Sequence, residues 1–306
     1  MRWLLGYRRL KQHGVIGLNR RNADGILDHN PRSRFPIVDD KLLMAELCHR
    51  IGIPTPATLG VLTTHGDLAK LGTLLEGHRE FAFKPARGSG GRGILVVDDR
   101  RDNLFRRSNG RWVDLDGLRA HASDVLSGMS SLGGQPDRLL IQQRVRPTAY
   151  FEAIAPRGIV DVRVLLYRFE PAMAMLRLPT IASNGRANLH QGGIGVGLDL
   201  ATGRTRHAVL GDRSLTHHPD TGAPLLDREV PCWKTVLEMS RTTARGVGLG
   251  FIGIDVVFDE RQPLLLEANA RPGLTIQLAN RQGLGEAIAA IDRRLATGTL
   301  DQIVVK

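Results

Sequence analysis

The sequence predicts an α/β (α+β) protein in which antiparallel hairpins alternate with helices. Three observations lead there. Apolar runs at 251–258 and 263–268 flank the polar segment Asp259-Glu260-Arg261-Gln262 and read as a buried hairpin. The runs at 80–84 and 94–98 flank a glycine-rich loop, a second strand-loop-strand unit. Stretches with helical spacing and capping residues lie between such units.

Taken in order, residues 1–38 are basic and interrupted by Asn30-Pro31 and Phe35-Pro36, which makes them an arm ahead of the core. Asp39 or Asp40 caps a helix running through Leu42, Leu43, Ala45, Leu47 and Cys48, which stops before Gly52 and Pro54. A strand follows near 58–62, then a helix from Thr64 or Asp67 to about Glu76, and then the two strands around the glycine loop. Residues 115–132 read as helix and 138–145 as an apolar strand ending in polar residues. Strands are expected at 159–168 and 173–178, a glycine-rich polar stretch at 183–197, and an exposed loop around His217 and His218. Helices at 231–247 and 283–296 frame the last hairpin. The resulting division is a basic arm (1–38), a first lobe (39–141) and a second lobe (142–306).

Composition narrows the function classes. A chain of 306 residues with 42% hydrophobic content fits a globular protein with a large core. Cys48 and Cys232 are far apart in sequence, give neither a disulfide framework nor zinc spacing, and fit buried apolar positions in a reducing cytoplasm. No run approaches the ~20 apolar residues of a membrane span, and the first residues do not form a signal peptide. The formal charge of +11 favours polyanions such as nucleotides or acidic peptides. No aromatic-basic ladder supports nucleic-acid binding.

Two constellations carry chemistry. A hairpin centred near 261 sets Asp255 opposite Glu267 to within one residue, and strand alternation puts Glu267 and Asn269 on one face, so three oxygen ligands can converge. Hard oxygen donors without His or Cys suit Mg²⁺, which is usually completed by water and substrate phosphates. The plain alternative is a hairpin-end Asp255 and a solvated Glu267. The second constellation is Lys84 followed by Gly88, Ser89, Gly90, Gly91 and Gly93, with Arg87 and Arg92 in the same loop. Dinucleotide-binding and Walker readings fail, because a strand rather than a helix follows the glycines and no Gly-Lys-Ser/Thr closes them. A hairpin lid over phosphates remains, with Lys84 as a fixed positive charge; the alternative is a mobile basic hairpin.

In this order the pieces resemble the ATP-grasp superfamily, in particular its RimK-type alpha-L-glutamate ligases. The resemblance rests on Asp40-Lys41-Leu42 through Pro56, Asp161-Val-Arg163, Asn188-Leu-His190-Gln-Gly-Gly193 and Glu267-Ala-Asn269-Ala-Arg-Pro272-Gly273, and covers roughly 38–290. It implies two α/β lobes gripping ATP between antiparallel sheets, with a truncated N-terminal region where the family has a preceding α/β domain. It implies that Lys84 meets the α/β-phosphates and that Gln142, Gln143, Arg144 and Val145 edge the adenine. Arg163, Arg177 and Asn188 would face the phosphoryl group or a substrate carboxylate, the alternatives being surface arginines and a turn former. Asp255, Glu267 and Asn269 would hold Mg²⁺, expected as two ions, with Mn²⁺ as a substitute. Gln143 departs from the family's Glu, and Arg271 adds a cation beside the metal ligands that would grip a substrate carboxylate.

The implied activity is an ATP-dependent carboxylate-amine ligase. It would form an amide through an acyl phosphate and attach glutamate or a similar amino acid to a peptide or small acceptor. The partners are then ATP, a carboxylate donor and an amine acceptor, with a second copy or partner subunit completing the acceptor site. The rival readings are a phosphotransferase, a non-catalytic ATP-binding module and an RNA-binding accessory. His190 is weighed as a general base against a packed loop histidine.

Overall fold

A computed structural model describes residues 10–88, 90–156 and 158–299. The chain forms two compact units. One comprises Asp39–Glu46 and Thr55–Val145; the other takes the N-terminal segment through Val38, Leu47–Pro54, and the chain from Arg146 onward. Residues 142–145 therefore stay with the strand that ends at Gln143.

The first unit is built on a six-stranded antiparallel sheet. In chain order its strands are β1 (Thr58–Leu62), β2 (Phe81–Pro85), β3 (Leu95–Arg101), β4 (Leu104–Arg107), β5 (Trp112–Val113) and β6 (Leu139–Gln143), arranged in space as β1-β6-β2-β3-β4-β5. Alternation sorts each strand into two faces. Phe81, Phe83, Leu139 and Ile141 join Leu118 and Ala122 of helix Leu115–Leu126 in one core. Asp114 caps that helix by accepting from Gly117 N at 2.8 Å. The helix stops at Leu126, short of the expected 132, because Gly128 turns the chain at φ +84. The segment after β1 is a 3₁₀ turn, His65–Lys70, closed by a capping box between Thr64 and Asp67, and then a short helix, Leu71–Leu74.

The second unit holds a seven-stranded antiparallel sheet. Its strands are β7 (Asp161–Tyr167), β8 (Glu170–Leu178), β9 (Ile194–Leu198), β10 (Thr205–Leu210), β11 (Arg213–Leu215), β12 (Phe251–Phe258) and β13 (Pro263–Asn269), ordered β11-β10-β9-β8-β7-β12-β13. Helix Trp233–Val247 buries Val236, Met239, Ser240, Thr243, Ala244 and Val247, a 3.6-residue stripe, against one side of the sheet. On the other side Leu165, Met173, Met175 and Phe251 pack with Ile276, Ala279, Leu284, Ile291 and Leu295 of helices Ile276–Asn280 and Leu284–Ala296.

Several expectations are corrected. The polar stretch at 183–197 contains the fully buried strand β9, whose Gly197 is required because a Cβ there would meet the Ala279 carbonyl oxygen at 2.5 Å. His217 and His218 follow β11 in a loop, and His217 is exposed as expected, but His218 is buried, with Nε2 hydrogen-bonded to Pro179 O at 3.0 Å. Cys48 is buried as expected, but Cys232 is exposed, in a left-handed conformation ahead of helix Trp233–Val247. The described part of the arm is docked on the second unit: Ile16 exchanges hydrogen bonds with Gln277, and Asn30 with Phe251. Among the described residues, no helix is long and apolar enough to cross a membrane.

Candidate active site

In the six-stranded sheet, Ala82 pairs with Gln142 and Lys84 with Leu140, so Lys84 and Gln142 share the face opposite the aromatic core. Lys84 Nζ donates to Gln142 Oε1 at 2.8 Å, and Gln142 Nε2 donates to Pro56 O at 3.4 Å. The Gln142 amide thus orients the lysine. Gln143 pairs with Phe81 and points to the other face, away from Lys84. Arg144 Nη1 donates to Glu80 Oε1 at 2.9 Å, and Val145 is buried.

The loop after β2 is fastened at its base. Lys41 Nζ donates to Gly88 O at 2.8 Å, Arg87 N donates to Asp137 Oδ2 at 2.9 Å, and Asp40 pairs with both Arg87 and Arg138. At the far end His121 Nε2 lies 3.0 Å from Gly93 O. Gly90 and Gly91 are exposed at φ +63 and +75, with open space where a Cβ would stand. Fixed ends and an exposed glycine tip, at which a ligand can approach the backbone closely, are what a phosphate lid needs. Ser89 lies outside the described residues. Nothing local in the sequence marks Asp40, Lys41, Asp137 and His121 as lid anchors, because such contacts join residues up to 98 positions apart.

In the seven-stranded sheet the register pairs Asp255 with both Arg163 and Glu267, Asp161 with Arg177, and Gly253 with Asn269. All of these side chains emerge on one face. Arg163 holds Asp255 through two hydrogen bonds, Nε to Oδ1 at 2.7 Å and Nη2 to Oδ2 at 2.6 Å. Arg177 bridges two carboxylates, Nε to Asp161 Oδ1 at 2.6 Å and Nη2 to Asp255 Oδ2 at 2.8 Å. With side-chain exposures of 14% and 11%, neither arginine is a solvated surface residue.

Burial sets the electrostatics. It opposes the charge of Asp255, but Arg163 and then Arg177 outweigh it and hold this carboxyl below the usual range. Burial dominates at Asp161, where it pushes the carboxyl up to about 6 against the pull of Arg177. Burial also works against the charge of Arg177, yet Asp161 and Asp255 hold its guanidinium well above its ordinary value. Asp161 is thus a full member of the cluster, and its position two residues before Arg163 on one strand face is the sequence signal that marks it.

The donor set fits a hard divalent cation. Asp255 is ionised, half-buried Glu267 stands across the ladder, and Asn269 Nδ2 lies 3.4 Å from Asp255 Oδ2, which puts its carboxamide at the same carboxylate. Oδ2 of Asp255 is crowded by Arg163, Arg177 and Asn269, which leaves Oδ1 as its more available oxygen. Among the described residues no three His, Cys, Asp or Glu side chains form a cation cage. Two carboxylates and a carboxamide would therefore rely on phosphate and water oxygens, as Mg²⁺ sites usually do.

Two expected residues make contacts of their own. Asn188 Oδ1 accepts from His190 N at 3.0 Å and caps the turn Leu189–Gln191, which makes it a turn former here, and His190 is exposed. The Arg271 guanidinium stacks over the Phe35 ring at 4.6 Å.

A family model described as sugar-transfer associated ATP-grasp matches residues 20–293. The chain is 26% identical over 258 residues to a probable alpha-L-glutamate ligase of Parasynechococcus marenigrum (strain WH8102), covering 84% of this chain and 41% of that protein. It thus spans less than half the length of that curated relative. Among solved structures it is similar to a RimK domain ATP-grasp protein from Sphaerobacter thermophilus, with TM-score 0.49 and 12% identity over 86% of this chain and 70% of that one. It is also similar to the D-cycloserine synthetase DcsG, with TM-score 0.48 and 15% identity over 87% and 73%.

Proposed function

The chain belongs to the sugar-transfer associated ATP-grasp family, and from that membership we propose that it is an ATP-dependent carboxylate-amine ligase producing ADP and phosphate. The observation that carries the proposal is the single sheet face on which Arg163, Arg177, Asp255 and Glu267 gather. It combines cations that offset phosphoryl charge with oxygen donors suited to magnesium.

In this reading Lys84, oriented by Gln142, holds the nucleotide phosphates, and the loop Gly88–Gly93 closes over them and excludes water. Asp255, Glu267 and Asn269 hold Mg²⁺, as one or two ions, with Mn²⁺ as a substitute. When bound, the metal offsets charge on the transferring phosphoryl group. Arg163 and Arg177 swing part of their hydrogen bonding from Asp255 to phosphoryl or carboxylate oxygens. A donor carboxylate, glutamate or a similar amino acid, is activated as an acyl phosphate, and an amine captures it to form the amide. Lid closure matters because an acyl phosphate hydrolyses readily.

The test measures ADP release with Mg·ATP, L-glutamate and a panel of amines that includes amino sugars, with product masses determined. Acceptor-dependent ADP release and a product carrying one added amino acid are expected, both lost in Glu267→Gln. Full activity in that variant, or a product heavier by a phosphate, refutes the reading.

A further inference from the structure

The loop joining β8 to β9, residues 179–193, leaves the sheet beside the arginine-carboxylate cluster. The last ladder pairs below it are Arg177 with Gly195 and Leu178 with Ile194, and Arg177 bridges Asp161 and Asp255. The base of the loop is knotted by its own polar groups. Thr180 N donates to Ser183 Oγ at 2.9 Å, Ser183 N to Thr180 Oγ1 at 3.0 Å, and Thr180 Oγ1 to Gly192 O at 2.8 Å. Beyond the knot Ile181, Arg186 and His190 are exposed. Further support comes from a separate turn at 216–224, in which His218 N donates to Ala223 O and Gly222 N to His218 O, both at 2.8 Å. His218 is 2% exposed and uses both ring nitrogens. Its Nδ1 accepts from Asp220 N at 3.2 Å, so Nε2 carries the proton and donates to Pro179 O at 3.0 Å. Asp220 Oδ2 then accepts from Ile181 N at 2.7 Å. The turn itself is tied down where Thr221 Oγ1 donates to Ile154 O at 2.9 Å. A buried imidazole and a carboxylate thus grip the loop on either side of Thr180, two and four residues beyond Arg177.

We infer that His218 and Asp220 are positioning residues for the reaction: they set the path of the chain leaving Arg177, and with it the wall that a carboxylate substrate meets beside that guanidinium. Neither touches the substrate; both act through the loop, where a shift of about 1 Å is enough to spoil an aligned complex. The inference deepens the ligase reading and rests on it. Nucleotide binding, assigned to Lys84 on the other sheet, is outside their reach.

Kinetics and hydrogen exchange on the full chain test this, with Mg·ATP, L-glutamate as the carboxylate probe and hydroxylamine as the amine. His218→Asn keeps an oxygen for Asp220 N but has no donor that reaches Pro179 O, whereas His218→Gln keeps that donor. In His218→Asn the KM for glutamate should rise about tenfold, the size of one lost hydrogen bond, with the KM for ATP unchanged. The Ile181 and Ser183 amides should lose protection while those of β8 keep theirs, and His218→Gln should restore both readouts. Asp220→Ala, at an exposed position, should show the same pattern in milder form, and it decides the matter if circular dichroism shows that His218→Asn does not fold. An unchanged KM for glutamate, equal rises for glutamate and ATP, or no recovery in His218→Gln overturns the inference, as does full protection of Ile181 and Ser183 in His218→Asn. Wild type that releases no ADP would instead refute the ligase reading.

Discussion

Asp255 keeps its charge inside the second sheet because Arg163 and Arg177 are aimed at its two oxygens, while at neighbouring Asp161 burial outweighs the pull of Arg177. Removing Arg177 would leave both carboxylates facing each other without their shared cation. Arg177→Met is therefore expected to destabilise the fold by about 3–5 kcal/mol in urea denaturation. The pH dependence follows from the raised carboxyl of Asp161. Its folded value of about 6 exceeds the unfolded ~3.9, so the folded state binds the proton more tightly. The contribution is most favourable below about pH 4 and is lost as pH rises through 6. The depressed Asp255 acts with the opposite sign, and only below the unfolded value, so it adds no slope in that window. Wild-type stability relative to Asp161→Asn should accordingly decline from pH 4 to 7, and a flat difference would contradict the assignment.

The hairpins illustrate how far a local pattern reaches. Strands β12 and β13 form the expected hairpin; its tip register, Val256 with Leu265 and Phe258 with Pro263, would set Asp255 against Leu266, and a register irregularity between Asp255 and Val256 shifts the pairing to Glu267. Strand β9 is the opposite case. Ile194-Gly-Val-Gly-Leu reads as a loop because glycines weaken strand propensity, yet Gly195 and Gly197 are where helix Ile276–Asn280 presses on the sheet. Gly197→Ala should cost about 1–3 kcal/mol, since neither the helix backbone nor the strand has room to move. The measurement is the shift in denaturation midpoint, and a neutral result would mean that the helix does not pack there.

At the level of the whole chain, the second unit is closed by contacts between its ends. Gln277, 6% exposed, accepts from Ile16 N and Leu284 N and donates to Ile16 O, a link across 261 positions that leaves none of these backbone groups orphaned. Gln277→Leu should detach the segment around Ile16 before the sheet opens. Hydrogen exchange checks this: the Ile16 amide should lose protection while the amides of β8 keep theirs, and equal protection in both proteins would disprove the role.

The sequence by itself determined the hairpins, the glycine loop behind Lys84, the facing of Asp255 and Glu267 to within one residue, and the family resemblance, because strand alternation, turn residues and short-range register are encoded within about a dozen neighbouring positions. Tertiary structure decided which polar groups are buried and with whom. It gave Arg177 two carboxylates 16 and 78 positions away, hid His218, exposed Cys232, and brought Arg21 to the Pro272 carbonyl. Such pairings follow from packing whole elements together, where each buried polar group must find a partner wherever the fold supplies one, and no local pattern records where that will be.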